Sequence, residues 1–164
     1  LKPYPRQGAQ TILMPRTPET VYFEGASVFD ACILAQFDLC QRLENLADSL
    51  PFKVDTRAAA ILAKQLQSTL CRCHRLEETI IFPLLLKKDT KIHTVLDRLR
   101  HEHQEDEDHA RDIQESIQAF VTAAHKEDAE RLGYMLRCMF IPLRRHLAFE
   151  CDYVMPFLLP TASQ

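Results

Sequence analysis

Two segments of the chain share one pattern, a histidine followed four residues later by a glutamate. They are His74-x-x-x-Glu78 and His146-x-x-x-Glu150, and His103 lies between them. Residues four apart lie on the same face of an α-helix, so each segment would present an imidazole beside a carboxylate. A nitrogen donor next to an oxygen donor can bind a metal ion. The repeated pattern therefore predicts a two-metal site inside a helical bundle.

The composition favours helices over strands. A chain of 164 residues has the length of one domain, and it contains only 3 glycines and no tryptophan. So little glycine leaves few hairpin turns. The net charge is −3 and charges of both signs are mixed, which excludes a nucleic-acid-binding surface. The sequence has no run of about 18 apolar residues, so no membrane span is predicted.

The cysteines predict reduced, partly buried thiols in a cytoplasmic protein. There are six, scattered through helical segments without a CxxC pair. The first residues lack the basic, then apolar, then small-residue pattern of a signal peptide, so none is expected. Cys71-x-Cys73-His74 looks like a metal motif, but Cys71 and Cys73 would lie on nearly opposite faces of one helix. Zinc binding at this motif is therefore not favoured.

Capping residues, prolines and polar turns divide the chain into elements. A proline-rich N-terminal arm is expected first, then four helices, then a tail. Their predicted bounds are 1–26 for the arm, 27–50, 55–86, 92–124 and 129–157 for the helices, and 159–164 for the tail. Short turns between long amphipathic helices indicate an all-α fold, an antiparallel up-down-up-down four-helix bundle spanning residues 27–158.

Three histidines are predicted to lie at one level of this bundle. His74 is 15 residues before Asp89 in the second turn, and His103 is 14 residues after it. His103 is likewise 22 residues before His125 in the third turn, and His146 is 21 after it. Buried ionisable groups cost several kcal/mol unless they are paired or bind metal. The predicted metal ligands are His74, Glu78, His103, His146 and Glu150.

The sequence leaves open the identity of the metal and the roles of some neighbouring residues. Imidazole and carboxylate ligands suit iron, manganese or zinc. Glu77 could replace Glu78, Asp106 or Glu107 could face the site, and Tyr153 could line its cavity. The alternative is a histidine–glutamate hydrogen-bond network without metal. Neither catalytic residues nor an organic cofactor site is predicted.

These segments resemble the hemerythrin-like (HHE cation-binding) family of the stand-alone bacterial type. Residues 74–85 (HRLEETIIFPLL) resemble its HxxxE segment with a Phe-Pro-Leu ending, and residues 102–103 (EH) are similar to its third-helix histidine. Residues 146–158 (HLAFECDYVMPFL) resemble its fourth-helix segment. The resemblance covers about residues 27–158. It implies two non-haem iron ions at the five predicted ligands, bridged by carboxylates and an oxo or hydroxo group, with zinc or manganese as alternatives.

The first helix departs from the family pattern, since no histidine precedes residue 74. The family's first-helix ligand would fall near Ile33 or Phe37, and neither can bind metal. The candidate replacements are Asp30 as first choice, Cys32, Gln36, Tyr22 or water. Because of this departure, the sequence leaves open whether the site holds one metal ion or two.

Members of the family bind oxygen, sense oxygen, nitric oxide or redox state, store iron, or help repair iron–sulfur centres. We therefore expect a protein that binds O2, peroxide or NO for sensing or for protection against oxidative or nitrosative stress, rather than a metabolic enzyme. A protein partner or a homo-oligomer could read the signal. The alternatives are a helical interaction module with a degenerate or non-iron metal site, and a ferritin-like oxidase or peroxidase. The latter has the order Glu-x-x-His instead.

Overall fold

Residues 17–123 and 126–159 are described by a computed structural model of the chain, and the regular elements within them are all helical. The helices are α1 (Pro18–Ser49), α2 (Thr56–Leu76), α3 (Phe82–Lys88), α4 (His93–Ala123), α5 (Lys126–Phe149) and α6 (Met155–Leu158). A π-helical segment joins α2 to α3 (π-turn 1, Glu77–Ile81), and another joins α5 to α6 (π-turn 2, Glu150–Val154). The prediction of an all-α four-helix bundle is confirmed.

The bundle has four long helical rods, namely α1, α2 with α3, α4, and α5 with α6. These rods pack around one core. Helix α1 packs against α2 and α5, and α4 packs against the same two helices. Apolar side chains at steps of three and four residues supply the core, as the periodicity predicts. Fully buried examples are Leu66 and Leu70 on α2, Ile113 and Ile117 on α4, and Leu143 on α5. None of the helices in the described ranges is long and apolar enough to cross a membrane.

Helix α1 begins nine residues earlier than predicted, at Pro18 rather than after Ser27. Thr17 provides the cap, because its side chain accepts a hydrogen bond from the backbone N–H of Thr20 at 3.2 Å. A proline is well suited to the first helical position, where an N–H would have no partner. Residues 18–26, expected in the arm, are therefore the first turns of α1.

Parts of three predicted elements lie outside the described residues: the arm at 1–16, residues 124–125, and the tail at 160–164. Helix α5 begins at Lys126, three residues before the predicted start at Ala129. The predicted turn at 125–128 is therefore largely helical where it is described.

Each π-turn lies just before a proline. The backbone N–H of Phe82 donates to the carbonyl of Glu77, five residues back, and the equivalent bond closes π-turn 2. Pro83 and Pro156 come next in the chain. In a regular α-helix a proline ring clashes with the carbonyl four residues back, and it offers no N–H to that carbonyl. The wider turn avoids both problems by placing one extra residue in the helix.

The extra residue changes which side chains face the core beyond each π-turn. One residue corresponds to a rotation of about 100° around the helix axis. Phe157 is seven residues after Glu150, a spacing that would place both on the inward face of an uninterrupted α-helix. Beyond π-turn 2, however, Phe157 is exposed over 41% of its surface and Leu158 is fully buried instead.

Candidate metal centre

A layer of polar side chains crosses the apolar core, and each of the four rods contributes to it. Its members are Gln36 from α1, His74 from α2, Glu77 from π-turn 1, His103 from α4, His146 from α5 and Glu150 from π-turn 2. All are at least about nine-tenths buried. Polar groups in such a place are costly unless they bind one another or a cation.

The three imidazoles lie side by side, at the common level that the turn positions predict. The rings of His74 and His103 stack with centroids 4.0 Å apart and planes 4° apart. The ring of His146 lies 5.4 Å from that of His103. Glu77, His103, His146 and Glu150 each bring one donor atom to a group in which all separations are within 4.8 Å. His74 adjoins this group through its stacked ring.

A partly exposed carboxylate holds the outer nitrogen of every imidazole. The pairs are His74 Nδ1 with Glu107 Oε1 at 3.0 Å, His103 Nδ1 with Glu78 Oε1 at 2.8 Å, and His146 Nδ1 with Glu102 Oε2 at 3.0 Å. An ionised carboxylate only accepts, so each bond favours a proton on Nδ1 and leaves Nε2 of a neutral ring with a free lone pair. Metal-binding histidines are oriented by this kind of outer hydrogen bond.

The atoms on the inner side of the layer lack hydrogen-bond partners. They are Gln36 Oε1, His74 Nε2, His103 Nε2, Glu77 Oε2 and both carboxylate oxygens of Glu150. Glu77 Oε2 lies 3.1 Å from His103 Nε2, and Glu150 Oε1 lies 3.3 Å from His146 Nε2. Neither contact is oriented as a good hydrogen bond. Nitrogen and oxygen atoms of these types bind cations, and several of them are buried together here without a hydrogen bond. This arrangement fits a metal ion.

The charges of the layer are strongly coupled. Burial lowers the pKa of His74 to about 3, and neighbouring His103 adds to the effect. Burial opposes protonation of His146 as well, but the carboxylates of Glu150 and Glu102 outweigh it and raise the pKa of His146 to about 9. Burial raises the pKa of Glu77. Without a cation, the layer would therefore hold protons on His146 to balance its carboxylates.

Comparison with known protein families identifies the family of the chain. The family model described as Hemerythrin HHE cation binding domain matches residues 29–158. The chain belongs to this family. No curated protein and no solved structure compared with the chain gives a match. The family match covers α1 from Phe29 onward, all the later helices and every residue of the polar layer.

The hemerythrin domain places Glu77, not the predicted Glu78, in the layer. Glu77 is fully buried in π-turn 1, with one carboxylate oxygen near His103. The side chain of Glu78 is 34% exposed and contacts the outer nitrogen of His103. On a helix both the third and the fourth residue after a histidine lie on its side, and here the third, Glu77, is the one turned into the core. His74, His103, His146 and Glu150 lie in the layer as predicted.

The distance to the following proline would have identified the right glutamate. Glu150 is six residues before Pro156, and Glu77 is six residues before Pro83. Aligning the two segments of the hemerythrin domain on their prolines therefore pairs Glu77 with Glu150. Aligning them on their histidines pairs Glu78 with Glu150 instead, which is how the sequence-based prediction came to name Glu78.

Gln36 is the α1 residue that faces the layer. Its amide nitrogen donates to Glu77 Oε1 at 3.3 Å, and its amide oxygen is left without a partner. Asp30, the first choice from sequence, is exposed. Cys32 is buried beside the layer, and Tyr22 donates to a backbone carbonyl of α3 at 3.2 Å. Gln36 was one of the open candidates, and it replaces Asp30 as the best one.

The remaining candidates have different places. Glu107 contacts the outer nitrogen of His74, and Asp106 is partly buried, with its pKa raised to about 6 by burial. Tyr153 is 61% exposed and does not line the layer. Glu102, which supports His146, was not singled out from the sequence because it lies in a run of acidic residues that reads as a solvated helix face.

Proposed function

We propose that this hemerythrin domain binds two non-haem iron ions in the polar layer, and that it binds O2, NO or peroxide there for sensing or for protection against oxidative or nitrosative stress. One observation carries the proposal. Six inner nitrogen and oxygen atoms of the layer are buried without hydrogen-bond partners, while the outer nitrogen of each imidazole is held by a carboxylate. This is the arrangement expected of ligands oriented for a cation.

The metal would be held by Nε2 of His74, His103 and His146 and by the carboxylates of Glu77 and Glu150. Gln36 or water would complete the α1 side. Three neutral imidazoles and two carboxylates suit iron, and manganese or zinc would be accepted by the same donors. Family membership supports a cation, and the choice of iron rests on the resemblance of the ligand segments.

Bound iron would supply an open coordination position and a reversible change of oxidation state. The protein itself would orient the ligands and shield the site from bulk water. Glu78, Glu102 and Glu107 keep the imidazole protons on the outer nitrogens, and the apolar core excludes bulk water from the layer. A groove of about 720 Å³ between α4 and α5 is lined by Glu102, Pro142, Phe149 and His146, which gives a small ligand a route to one edge of the layer.

The direct test is iron content per chain after anaerobic purification from iron-replete cells. We expect two iron ions in the unchanged protein and a clear loss in Glu77→Gln, since an amide is a poor bridging ligand. Glu78→Gln should reach the same stoichiometry at saturating iron, with an affinity about 10- to 100-fold weaker, because it weakens only an outer hydrogen bond by removing the charge of its acceptor. His101→Ala, a change at an exposed histidine of α4, is the matched control and should bind normally.

A protein without iron would contradict the proposal and favour a helical interaction module. Full binding by Glu77→Gln together with loss in Glu78→Gln would reassign the carboxylate. Ligand binding is tested separately, by adding NO or O2 to the ferrous protein and following its optical spectrum. An unchanged spectrum with both gases would refute the sensing role while leaving the metal site intact. A cytoplasmic location and a signalling partner stay predictions.

A further inference from the structure

A pair of buried thiols lies directly beside the polar layer. Cys32 comes from α1 and Cys73 from α2, and both side chains are buried. The thiol of Cys73 donates to the backbone carbonyl of Cys32 at 3.8 Å, so the two helices are in close contact here. Cys73 immediately precedes His74, and Cys32 is one helical turn before Gln36. Both cysteines therefore adjoin members of the layer.

The thiols of Cys32 and Cys73 shift each other's pKa, and the carboxylate of Glu77 lies close enough to act on both. A hydrogen bond with Cys73 lowers the pKa of the Cys32 thiol, whereas the same interaction, together with burial, raises the pKa of Cys73. The carboxylate of Glu77 acts on both thiols in the raising direction. The pair is thus close enough to the layer to feel the charge of one of its carboxylates.

Cys40 shows what an ordinary buried cysteine looks like in the same helix. It lies fully buried in α1, two turns beyond Cys32, and burial raises its thiol pKa to about 12. Buried, protonated thiols are inert towards oxidants in solution. Cys73 is as fully buried as Cys40, and Cys32 is more than nine-tenths buried, but these two cysteines adjoin the layer. An oxidant held in the layer would therefore be close to both of them.

We propose that Cys32 and Cys73 are a two-electron donor for peroxide that enters the polar layer. The inference rests on the proposed function, because it takes peroxide as the oxidant and the iron-loaded layer as the place where it reacts. Each thiol gives up one proton and one electron, and an S–S bond forms between the two sulfurs. The O–O bond of hydrogen peroxide breaks, takes up the two electrons and two protons, and leaves as two water molecules.

The test is a peptide map of the full chain after one equivalent of peroxide. The protein is loaded with iron and fully oxidised, so that the metal does not supply the electrons, and exposed thiols are alkylated beforehand in the folded state. Cleavage after arginine and lysine places Cys32 in peptide 17–42 and Cys73 in peptide 73–75, while Cys71 falls in peptide 65–72. Because peptide 17–42 also holds Cys40, a Cys40→Ala chain serves as the matched control.

We expect peptides 17–42 and 73–75 to be joined by a disulfide in the unchanged protein and equally in Cys40→Ala. The link should be lost in Cys32→Ser, in Cys73→Ala, in a sample without peroxide and in metal-free protein. The map of the unchanged chain needs no variant, so a poorly folding variant does not prevent a decision. Iron content and circular dichroism are measured on every sample.

Three results would overturn the inference. Iron-loaded protein that consumes peroxide without forming the link would refute the thiol pair while leaving the proposed function intact. Equal linkage in metal-free protein would show that the pair is oxidised independently of the layer. An unchanged chain that binds no iron would refute the proposed function, as the metal analysis alone would reveal, and this inference with it.

Discussion

The metal-free protein should lose stability as the pH rises from about 6.5 to about 9, and His146 should be the main cause. Its pKa is 6.5 in a model peptide and about 9 in the folded chain, where the carboxylates of Glu150 and Glu102 outweigh its burial. The folded state therefore holds the proton more tightly than the unfolded state. The resulting stabilisation is complete below pH 6.5 and is lost as the pH rises through the folded pKa.

The size of this effect follows from the distance between the two pKa values. One pKa unit corresponds to about 1.4 kcal/mol, so His146 contributes about 3 kcal/mol at its maximum. The side chain is only 6% exposed, which keeps solvent screening small. For a chain of this size about 1 kcal/mol shifts the melting temperature by roughly 2–4 °C. The melting temperature should therefore fall by roughly 6–12 °C over this pH range.

The measurement is thermal unfolding of chelator-treated protein, followed by circular dichroism between pH 5 and pH 9. His146→Gln should remove most of the fall above pH 6.5, and His101→Gln, at an exposed position of α4, should keep it. Burial raises the pKa of Glu77, which acts in the same direction as His146, so the difference between the variant and the unchanged protein isolates His146. A melting temperature that stays constant from pH 6.5 to 9, or an equal fall in His146→Gln, would refute the reasoning.

Two conditions should reverse this trend, so that stability rises with pH: the metal-free protein below pH 6.5, and the metal-loaded protein. Burial lowers the pKa of His74 to about 3, so its contribution is present above pH 6.5 and is lost as the pH falls towards 3. Metal ligands must be deprotonated, so metal binding weakens as protons are added. Iron-loaded protein should therefore gain stability over the same rise from pH 6.5 that weakens the metal-free protein.

Three further changes test the packing of the bundle. Pro83→Ala removes the obstacle to regular α-helix at π-turn 1 and should lower iron occupancy, measured by elemental analysis, by allowing a register that turns Glu77 away. Leu66→Ala, at a fully buried position, should cost about 2–5 kcal/mol in chemical unfolding, whereas Ile61→Ala on the exposed face of the same helix should cost much less. The side chain of Asp55 caps α2 by accepting a hydrogen bond from the backbone N–H of Ala58 at 2.9 Å. Asp55→Ala removes this cap and should lower the free energy of unfolding by about 1 kcal/mol in the same assay.

Most of the bundle could be predicted from the sequence because helices leave a regular signal. Leu66, Leu70 and His74 recur at steps of four, and their burial follows from that spacing. The level of the three histidines followed from their distances to the turns. The start of α1 was missed because several prolines made the N-terminal region look extended, although a proline directly after Thr17 is itself a sign of a helix start.

The details of the layer could not be read from spacing alone. Glu77 and Glu78 are three and four residues after His74, so both lie on its side of the helix, and spacing alone does not show which of them is turned inward. The contribution of α1 was harder still. Asp30 and Gln36 are both polar and only six residues apart, and it is the packing of α1 against α2 that brings Gln36 to Glu77.

The two π-turns also determine where this chain can change its length. Each contains one residue more than a regular turn, so deleting one residue there, for example Thr79, would restore ordinary helical bonding while both flanking segments keep their inward faces. A deletion elsewhere in the same rod would swing every later side chain around the axis. The places that define the carboxylates of the layer are therefore also the places most tolerant of a shortened backbone, provided that the neighbouring proline is replaced at the same time.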